Sequence, residues 1–276
     1  MRGWRDAGFI FPIRRAEAAV LVFCANAALV QSRMEEAASL YEQALAIARE
    51  QESRRLVAMV MFNLSLVYGE IGENEQGERL ALEALSIHRE IGNRRSEGLA
   101  LGQVGWFEQM RGAYAQATTH VLGALAIHRE IGNRRGEASM LAELGEFEQV
   151  QGRMEEARGW FEQTLAVARE VRHSRLEGAV FGLLAVSHAA RGAAREAREA
   201  LDEGARLLEA ADDRVELAKL YARRGWSEAL LGDRQASERA LDEARARASG
   251  LGLGPHSSAA RTIARCEEAI AARAGR

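Results

Sequence analysis

The stretch LSLVYGEIGENEQGERLALEA, residues 64–84, contains a pattern that returns every forty residues along the chain. Its central glycine, Gly72, recurs at exactly that interval in four later copies, Gly112, Gly152, Gly192 and Gly232, and Ser32 stands one period earlier. A fixed period of this length is typical of stacked supersecondary units. The sequence therefore predicts a repeat array in which each glycine lies in the turn between two helices, A and B.

The positions around each glycine alternate between small and large residues in a fixed order. Seven residues before the glycine and five after it the chain carries small residues, and nine after it most copies carry a large apolar residue. The three sets are Ser65, Gly105, Gly145, Ala185 and Gly225; Gly77, Ala117, Ala157, Ala197 and Ser237; and Val121, Phe161, Leu201 and Leu241. We expect these sets to hold the two helices of each unit together.

The composition favours an all-α fold. Among 276 residues there are two prolines, Pro12 and Pro255, so nothing between them obliges a helix to break. Ala, Leu, Glu and Arg are abundant, and all four are good helix formers.

Two cysteines, Cys24 and Cys266, suit a reducing compartment. A net charge of −3 gives no bulk attraction to nucleic acid or anionic membrane. The apolar run 18–30 is too short to span a membrane. We therefore expect a cytoplasmic protein.

The chain divides into three predicted parts. Residues 1–15 are an atypical N-terminal segment, which either caps the first unit or lies in a groove of its own or a neighbouring molecule. Residues 16–249 form six helix pairs, the first helix beginning near Ala16. Residues 250–276 form a glycine-rich linker and a capping helix whose Ile263, Cys266 and Ile270 cover the last pair. Self-association through residues 1–15 or the ends of the array stays open.

A second motif recurs between the units. The run from Ile87 to Arg95, IHREIGNRR, returns at residues 127–135, with a glycine that stops one helix and an asparagine that starts the next. The later copies, from Val167 and Leu207, lose the glycine, and we expect them to be more helical.

The spacing Leu–small–(six)–Gly–(four)–small–(three)–large–(two)–Ala resembles the tetratricopeptide repeat over residues 16–249. The run HREIGNRRGEA, residues 128–138, is similar to the inter-repeat motif of the variety with longer helices, found in cell-polarity adaptors and in sensor arms of bacterial regulators. The aromatic residue that usually follows the small position by three is present as Tyr68 alone. The resemblance implies a right-handed α-solenoid of antiparallel helix pairs that binds a protein or peptide along its concave A-helix wall.

The same resemblance places a set of residues on that wall. They include Met59, Phe62 and Leu66; Leu99, Gly102, Trp106, Gln109 and Met110; Ser139, Ala142, Glu146, Gln149 and Val150; Ala179, Gly182 and Val186; and Lys219, Trp226 and Leu230. For Leu66, Leu99 and Val186 we expect burial between neighbouring units. Trp106 and Trp226 share a column with Glu146, and Glu is almost never buried unpaired. These two tryptophans are therefore the preferred contact residues.

A column of arginines allows two interpretations. Arg94, Arg95, Arg134 and Arg135 can hold acidic groups of a partner, because Arg grips carboxylates in a bidentate fork. Alternatively, they form a ladder with glutamates that recur in step, Glu97, Glu137 and Glu177, and the sequence favours this ladder.

The sequence offers no catalytic or metal-binding motif. It contains no HExxH, no paired CxxC and no GxSxG, and His88 and His128 occupy one repeat column for architectural reasons. We therefore predict a non-enzymatic scaffold or adaptor without a cofactor, which binds a protein or peptide and neither nucleic acid nor membrane. The alternative is a regulatory or sensor module that acts with a separate ATPase, kinase or transcription regulator.

Overall fold

The computed structural model describes residues 4–251 and 254–274, with the side chains of 4–13, 15 and 274 left aside. These residues form thirteen α-helices joined by short turns, with no strand. This confirms the predicted all-α stack of helix pairs. The chain divides into two compact units, one ending at Gly123 and the other beginning at Ala124. The predicted roles of residues 1–15 rest largely on side chains outside the described residues.

The first unit contains three helix pairs. Their helices are α1 (Trp4–Val30), α2 (Met34–Glu50), α3 (Arg54–Ile71), α4 (Asn74–Glu90), α5 (Arg94–Met110) and the greater part of α6 (Tyr114–Glu130). The helix α1 begins before the expected start near Ala16. Nothing at residues 13–15 (Ile, Arg, Arg) resembles an N-cap residue, so no capping signal starts a helix there.

The second unit contains three further pairs and a last single helix. Its helices are α7 (Arg134–Val150), α8 (Met154–Glu170), α9 (Ser174–Ala190), α10 (Ala194–Ala210), α11 (Arg214–Leu231), α12 (Arg234–Gly250) and α13 (Ser258–Ala274). We call the first helix of each pair the A helix and the second the B helix. Ile263 and Cys266 of α13 pack with Leu241 and Ala244 of α12, and Ile270 lies against the same cluster.

The glycine turns explain why each pair folds back on itself. Gly72, Gly112, Gly152, Gly192 and Gly232 all have a positive φ between 79° and 90°. A residue with a Cβ rarely adopts this left-handed conformation. The conformation directs the amide of the following residue toward a carbonyl at the end of the A helix, and the two groups form a hydrogen bond. At Gly72 the following amide, that of Glu73, bonds the carbonyl of Tyr68 at 2.8 Å. The predicted turn between A and B helices is confirmed.

The turns between pairs correct one expectation. Arg172 and Asp212 stand where Gly92 and Gly132 stood in earlier copies, yet they keep a positive φ, 53° and 47°. The helices α8 and α10 end as sharply as their predecessors, so the prediction of greater helicity was wrong. The amide after each turn residue bonds the preceding helix, as His173 does to the Ala168 carbonyl at 2.8 Å. This bond offsets the modest cost of a single left-handed residue.

Small residues on the A helices receive large side chains from the B helices. A Cβ added at Gly145 would lie 2.4 Å from the Phe161 ring, and one at Gly105 would lie 2.7 Å from Val121. Phe161 and Val121 are fully buried. The small and large positions of the repeat therefore fit each other directly, and each contact fixes how closely its two helices approach.

Replacing Gly145 by Ala should destabilise the protein, because the new methyl group would overlap the Phe161 ring. Overpacking of this kind costs roughly 1–3 kcal/mol. We expect the urea midpoint of unfolding to fall accordingly, with the circular dichroism of the folded state unchanged.

Gly159→Ala is the matched control. Gly159 lies in the interior of α8, where an added Cβ meets nothing within 4 Å. Ala is a better helix former than Gly by roughly 0.5–1 kcal/mol, so this variant should be as stable as the wild type or more so. Equal midpoints for both variants would contradict the fit of small and large residues.

Candidate functional site

In the unit ending at Gly123, the A helices α3 and α5 present apolar side chains to solvent. Met59 and Leu66 are each 38% exposed on α3, and Leu99 is 40% exposed on α5. Spacings of three, four and seven residues place Met59, Phe62 and Leu66 on one side of α3. The structure therefore gives this unit an apolar face, which we call the α3–α5 face: Met59, Phe62, Leu66, Leu99, Trp106 and Met110.

Leu66 and Leu99 are exposed, although the sequence favoured core positions for both. The buried side of α3 is occupied by Val60, Leu64 and Val67, and Leu66 points away from it. The expectation of burial was therefore wrong for the two leucines. For Val186, which is fully buried, it is confirmed.

Trp106 is half-buried and held in place by its neighbours. A Cβ added at Gly69 of α3 would lie 2.9 Å from Trp106 Cζ3, so the indole packs directly on the backbone of α3. Its ring also meets the Phe107 ring edge to face, with centroids 4.9 Å apart. A fixed, partly exposed tryptophan can contact a ligand with little loss of side-chain entropy.

The other predicted contact residues of this unit differ in depth. Phe62 and Met110 are half-buried, and Phe62 packs against the core of the first pairs. Gln109 is buried, and its Nε2 atom makes no hydrogen bond to another described residue. The apolar members therefore face solvent at least in part, whereas Gln109 lies beneath them.

The arginine ladder is confirmed where its pairs are described. Arg94 Nη1 donates to Glu97 Oε2 at 2.7 Å, and Arg89 Nε donates to the other oxygen of Glu97 at 3.1 Å. In the second unit Glu137 accepts from Arg129 and Arg134 in the same way.

Arg134 also donates to Glu170 at 2.5 Å, which raises the pKa of its guanidinium further above the ordinary value. The bonds from Arg89 to Glu97 and from Arg129 to Glu137 thus cross from one pair to the next, whereas the bonds of Arg134 join α7 to α8 within one pair. Arg95 and Arg135 are exposed, and their predicted role toward a partner stays a prediction.

In the unit beginning at Ala124, three predicted contact residues come together around one cavity. Glu146, Gln149 and Trp226 line it from α7 and α11, although they are up to eighty residues apart in sequence. The remaining walls come from α7, α9, α11 and α13; they are Val150, Leu183, Arg223, Thr262, Arg265 and Cys266. We call this space the Arg223 cavity.

Gln149 ties two A helices together at the edge of this cavity. Its Nε2 atom donates to the Leu183 carbonyl at 2.9 Å and lies 3.2 Å from Ser187 Oγ, both on α9. Gln149 is therefore buried and bonded rather than presented to solvent. It positions α7 against α9 and lends the cavity a rigid wall.

Arg223 was not among the predicted site residues, yet it is the central charge of the cavity. It is 5% exposed, and its Nη1 atom makes no hydrogen bond to another described residue. The nearest carboxylates are Glu216 at 3.8 Å and Glu146 at 4.0 Å. Glu216 is itself bonded by Lys219 Nζ at 2.6 Å. The sequence did hold a signal, because Arg223 stands in a forty-residue column of the A helices that, from Asn63 onward, is polar at every copy except Leu183; the other members are Gln103 and Glu143.

Glu143 is a second residue that the sequence analysis missed as a special group. Burial raises its pKa to about 8, and the charge of Glu146, one turn further along α7, raises it in the same direction. Its Oε2 atom is buried without a hydrogen bond among the described residues. At neutral pH the folded protein therefore keeps this carboxyl protonated.

The histidines of the repeat are part of the packing. His88 and His128 are buried at equivalent positions, and His128 Nδ1 lies 3.1 Å from Asn133 Nδ2. Burial, with the charge of Arg55, lowers the pKa of His88. Within the described residues no group of three His, Cys, Asp or Glu side chains could hold a metal ion. No helix in that part of the chain is long and apolar enough to cross a membrane.

The family follows from the comparison with known repeats. A family model described as tetratricopeptide repeat matches residues 17–90 and 136–210, which together exceed half of the chain. The chain belongs to the tetratricopeptide repeat family. Comparison with curated proteins gives no match.

Solved structures share the fold at low sequence identity. A Rap protein complexed with Competence and Sporulation Factor is 20% identical, with a TM-score of 0.70 over 93% of this chain and 76% of that one. Aspartyl phosphate phosphatase F from Bacillus subtilis is 16% identical, with a TM-score of 0.74 over 98% and 72%. The Rap conjugation gene regulator of plasmid pLS20, in complex with the Phr* peptide, is 17% identical, with a TM-score of 0.71 over 91% and 73%. These likenesses show a common fold.

The raised pKa of Glu143 predicts a pH dependence of stability. The unfolded chain loses this proton near the ordinary value of 4.5, and the folded protein loses it near 8. Between these values the folded state holds one more proton, so the free energy of unfolding falls as pH rises and then levels off. The Glu143→Gln variant has no carboxyl to ionise at this position, so its free energy of unfolding lacks this decrease with pH. The free energy of unfolding of the variant minus that of wild type, measured with urea, should therefore be larger at roughly pH 9 than at roughly pH 4.

Glu156→Gln serves as the comparison for this measurement, because Glu156 is exposed on α8. Its difference from wild type should be the same at both ends of the pH range. A pH-independent difference for Glu143→Gln would contradict a protonated carboxyl in the folded state.

Proposed function

We propose that this protein is a non-enzymatic interaction module that binds a peptide or a helical segment of a partner protein on its A helices. The α3–α5 face carries the proposal. Three large apolar side chains, Met59, Leu66 and Leu99, are each about two-fifths exposed there, beside the fixed indole of Trp106. An exposed apolar patch of this kind marks an interaction site more often than an ordinary surface.

The side chains of this face suit a segment that offers apolar groups of its own. Met59 and Met110 are flexible and polarizable, so they adapt to ligands of different shape. Trp106 is of the residue type most frequent at binding hot spots. An amphipathic helix or an extended segment with alternating apolar residues would bury these side chains together.

The known complexes of related fold agree with a peptide ligand. A Rap protein was solved with Competence and Sporulation Factor, and the pLS20 regulator with the Phr* peptide. By analogy with these proteins, peptide binding is the activity that we assign to this chain. The shared fold alone is compatible with any ligand that fits the A helices, so the assignment of peptide binding depends on the α3–α5 face.

A regulatory or sensor role is the second candidate. It is favoured by the recurrence of the fold in the conjugation regulator of pLS20 and in the quorum sensor NprR from B. thuringiensis, the latter 12% identical with a TM-score of 0.59. In this role the bound peptide would change the affinity of the chain for a separate regulator. An adaptor, in contrast, would bind its partner equally well with and without any further ligand.

Substituting Trp106 by Ala, or Leu66 and Leu99 by Ser, should weaken peptide binding. Peptides would be selected from a displayed random library on the wild-type protein, and the affinity of the best one would be measured by fluorescence polarisation. Loss of a central aromatic contact typically costs about 2 kcal/mol or more, roughly thirtyfold in Kd.

The control uses two leucines of the B helices, Leu82 and Leu122, which are 45% and 44% exposed and therefore match Leu66 and Leu99 in kind and exposure. Ser at these positions should leave the affinity unchanged. Binding that survives in the Leu66 and Leu99 variants but is lost in the control would move the site to the B helices. Circular dichroism and the urea midpoint identify any variant that has failed to fold.

A further inference from the structure

The first helix, α1, presents large apolar side chains to solvent. Val20 is 59% exposed, Phe23 73% and Val30 87%. The opposite side of the same helix packs into the core of the first pairs through Ala25 and Ala28, which are fully buried. The helix α1 is therefore apolar on both of its sides, which is typical of a helix that is covered all round.

The exposed side of α1 has the spacing of a helix-packing surface. Ala16, Val20, Phe23, Ala27 and Val30 follow one another at intervals of four, three, four and three residues. This alternation is the heptad spacing of a helix that packs lengthwise against another helix. All five side chains are exposed except that of Ala27, which is half-buried. We call these five residues the α1 stripe.

The charges on and around the stripe do not oppose its contact with an identical surface. The run 18–30 contains no charged residue. The charged side chains at its two ends are already paired, Arg14 with Glu17 at 3.3 Å and Arg33 with Glu36. A second copy of the stripe therefore brings no unpaired charge to the contact, and each end is electrically neutral.

The last helix, α13, offers no comparable surface. Its exposed residues are small or charged, as at Ala264, Glu268 and Ala271. The terminal units of a repeat protein need a polar outer face to remain soluble, and α13 meets this requirement whereas α1 does not. A head-to-tail contact between α1 of one copy and α13 of another would therefore leave the large side chains of the α1 stripe against charged ones. The α1 stripe is matched better by another α1 stripe.

Two α1 stripes are complementary in size when they lie antiparallel. Phe23 is the middle residue, and a two-fold axis through it places Ala16 opposite Val30 of the second copy. The same axis places Val20 opposite Ala27 of the second copy. Each small side chain then faces a larger one. In a parallel pair every alanine would face an alanine, and the gaps would forfeit dispersion contacts.

We propose that the α1 stripe is the interface between two copies of this protein, whose α1 helices pack antiparallel about a two-fold axis at Phe23. Both helices are already formed and packed on α2, so association does not require helix nucleation. The stripe is roughly 20 Å long. Such a contact is small for a protein–protein interface, so the dimer is weak and its population depends on concentration.

This interface goes beyond the proposed function and does not depend on it. Each copy keeps its own α3–α5 face, because none of the residues of that face belongs to the α1 stripe. A dimer therefore carries two such faces. A partner that contains the recognised segment twice would bind the dimer more tightly than the single chain, because the second contact forms within one complex.

The dimer is tested by sedimentation equilibrium of the full chain. The mean mass should rise from 30.3 kDa toward twice that value. We expect this rise between roughly 1 and 200 μM. Phe23→Glu places two carboxylates together at the axis and should weaken association about tenfold or more, because like charges at an interface repel. Phe23 is largely exposed in the single chain, so the variant should keep its circular dichroism and its urea midpoint.

A pair of double variants tests the antiparallel direction. Ala16→Lys with Val30→Glu brings opposite charges together in the antiparallel dimer, whereas Ala16→Lys with Val30→Lys brings like charges together. The first double variant should therefore dimerise at least about tenfold more tightly than the second. In a parallel dimer each position meets its own copy, so both double variants would be repelled. Equal association of the two would overturn the antiparallel arrangement.

Cross-linking through Cys24 tests which surfaces are in contact. Cys24 is exposed and adjoins Phe23, whereas Cys266 is buried, so the chain has one accessible thiol beside the stripe. In the antiparallel dimer both Cys24 thiols lie on the same side of the axis. A short bismaleimide should link them, since packed helices are roughly 8–10 Å apart. Wild type should give a covalent dimer on a denaturing gel, and Phe23→Glu should not.

Leu66→Ser is the control for a different docking site, because Leu66 lies on the α3–α5 face. Its mean mass and its cross-linking should equal those of wild type. Loss of the dimer in this variant would show that α1 docks on the α3–α5 face of the second copy, and would overturn the proposal. A mass of one chain at every concentration would overturn it as well, as would a dimer that persists unchanged in Phe23→Glu.

Discussion

The helix pairs are held together by the contact between a small residue on the A helix and a large one on the B helix, as at Gly105, Gly145 and Gly225. At Gly145 the backbone of α7 comes so close to the Phe161 ring that no side chain fits between them. This closeness determines the separation of the helix pair, and hence the place of every residue on the free side of the A helix. The left-handed glycine turns then fold each pair back on itself, and Arg134, bonded to Glu137 and Glu170, joins the start of α7 to the end of α8. The α3–α5 face and the Arg223 cavity both contain A-helix side chains that this packing leaves uncovered.

Much of this arrangement was predictable from the sequence because each device recurs with the period. The turn glycines, the caps at Asn93 and Asn133 and the small and large positions are local features with a known geometry. The prediction failed where a rule about residue type was applied too strictly. Asp212 makes the same left-handed turn as glycine, because the hydrogen bond after the turn compensates for its side chain. The forty-residue period predicts where a turn lies, whereas the hydrogen bonds around the turn determine which residue types can form it.

The depth of a side chain was harder to predict than its column. Leu66, Val186 and Trp226 share one column, yet Leu66 is exposed, Val186 is fully buried and Trp226 lines a cavity. Depth depends on side chains that arrive from other repeats, such as Arg223, which passes over Gly182. Such a contact joins residues forty or more positions apart through a long, flexible side chain. The residue pattern of a single repeat does not reveal a contact of this kind. The Arg223 cavity is formed by such contacts, so it could be recognised only in the three-dimensional structure.

The amine chemistry of the chain is unusually restricted. Lys219 is its sole lysine, and it lies one turn before Arg223 on α11, with its ammonium group 2.6 Å from Glu216. Every other basic side chain apart from histidine is a guanidinium, which acylating reagents leave untouched at neutral pH. A reagent specific for primary amines therefore has a single side-chain target in the whole molecule. Its rate of reaction would report on the ion pair beside the cavity without any engineered label.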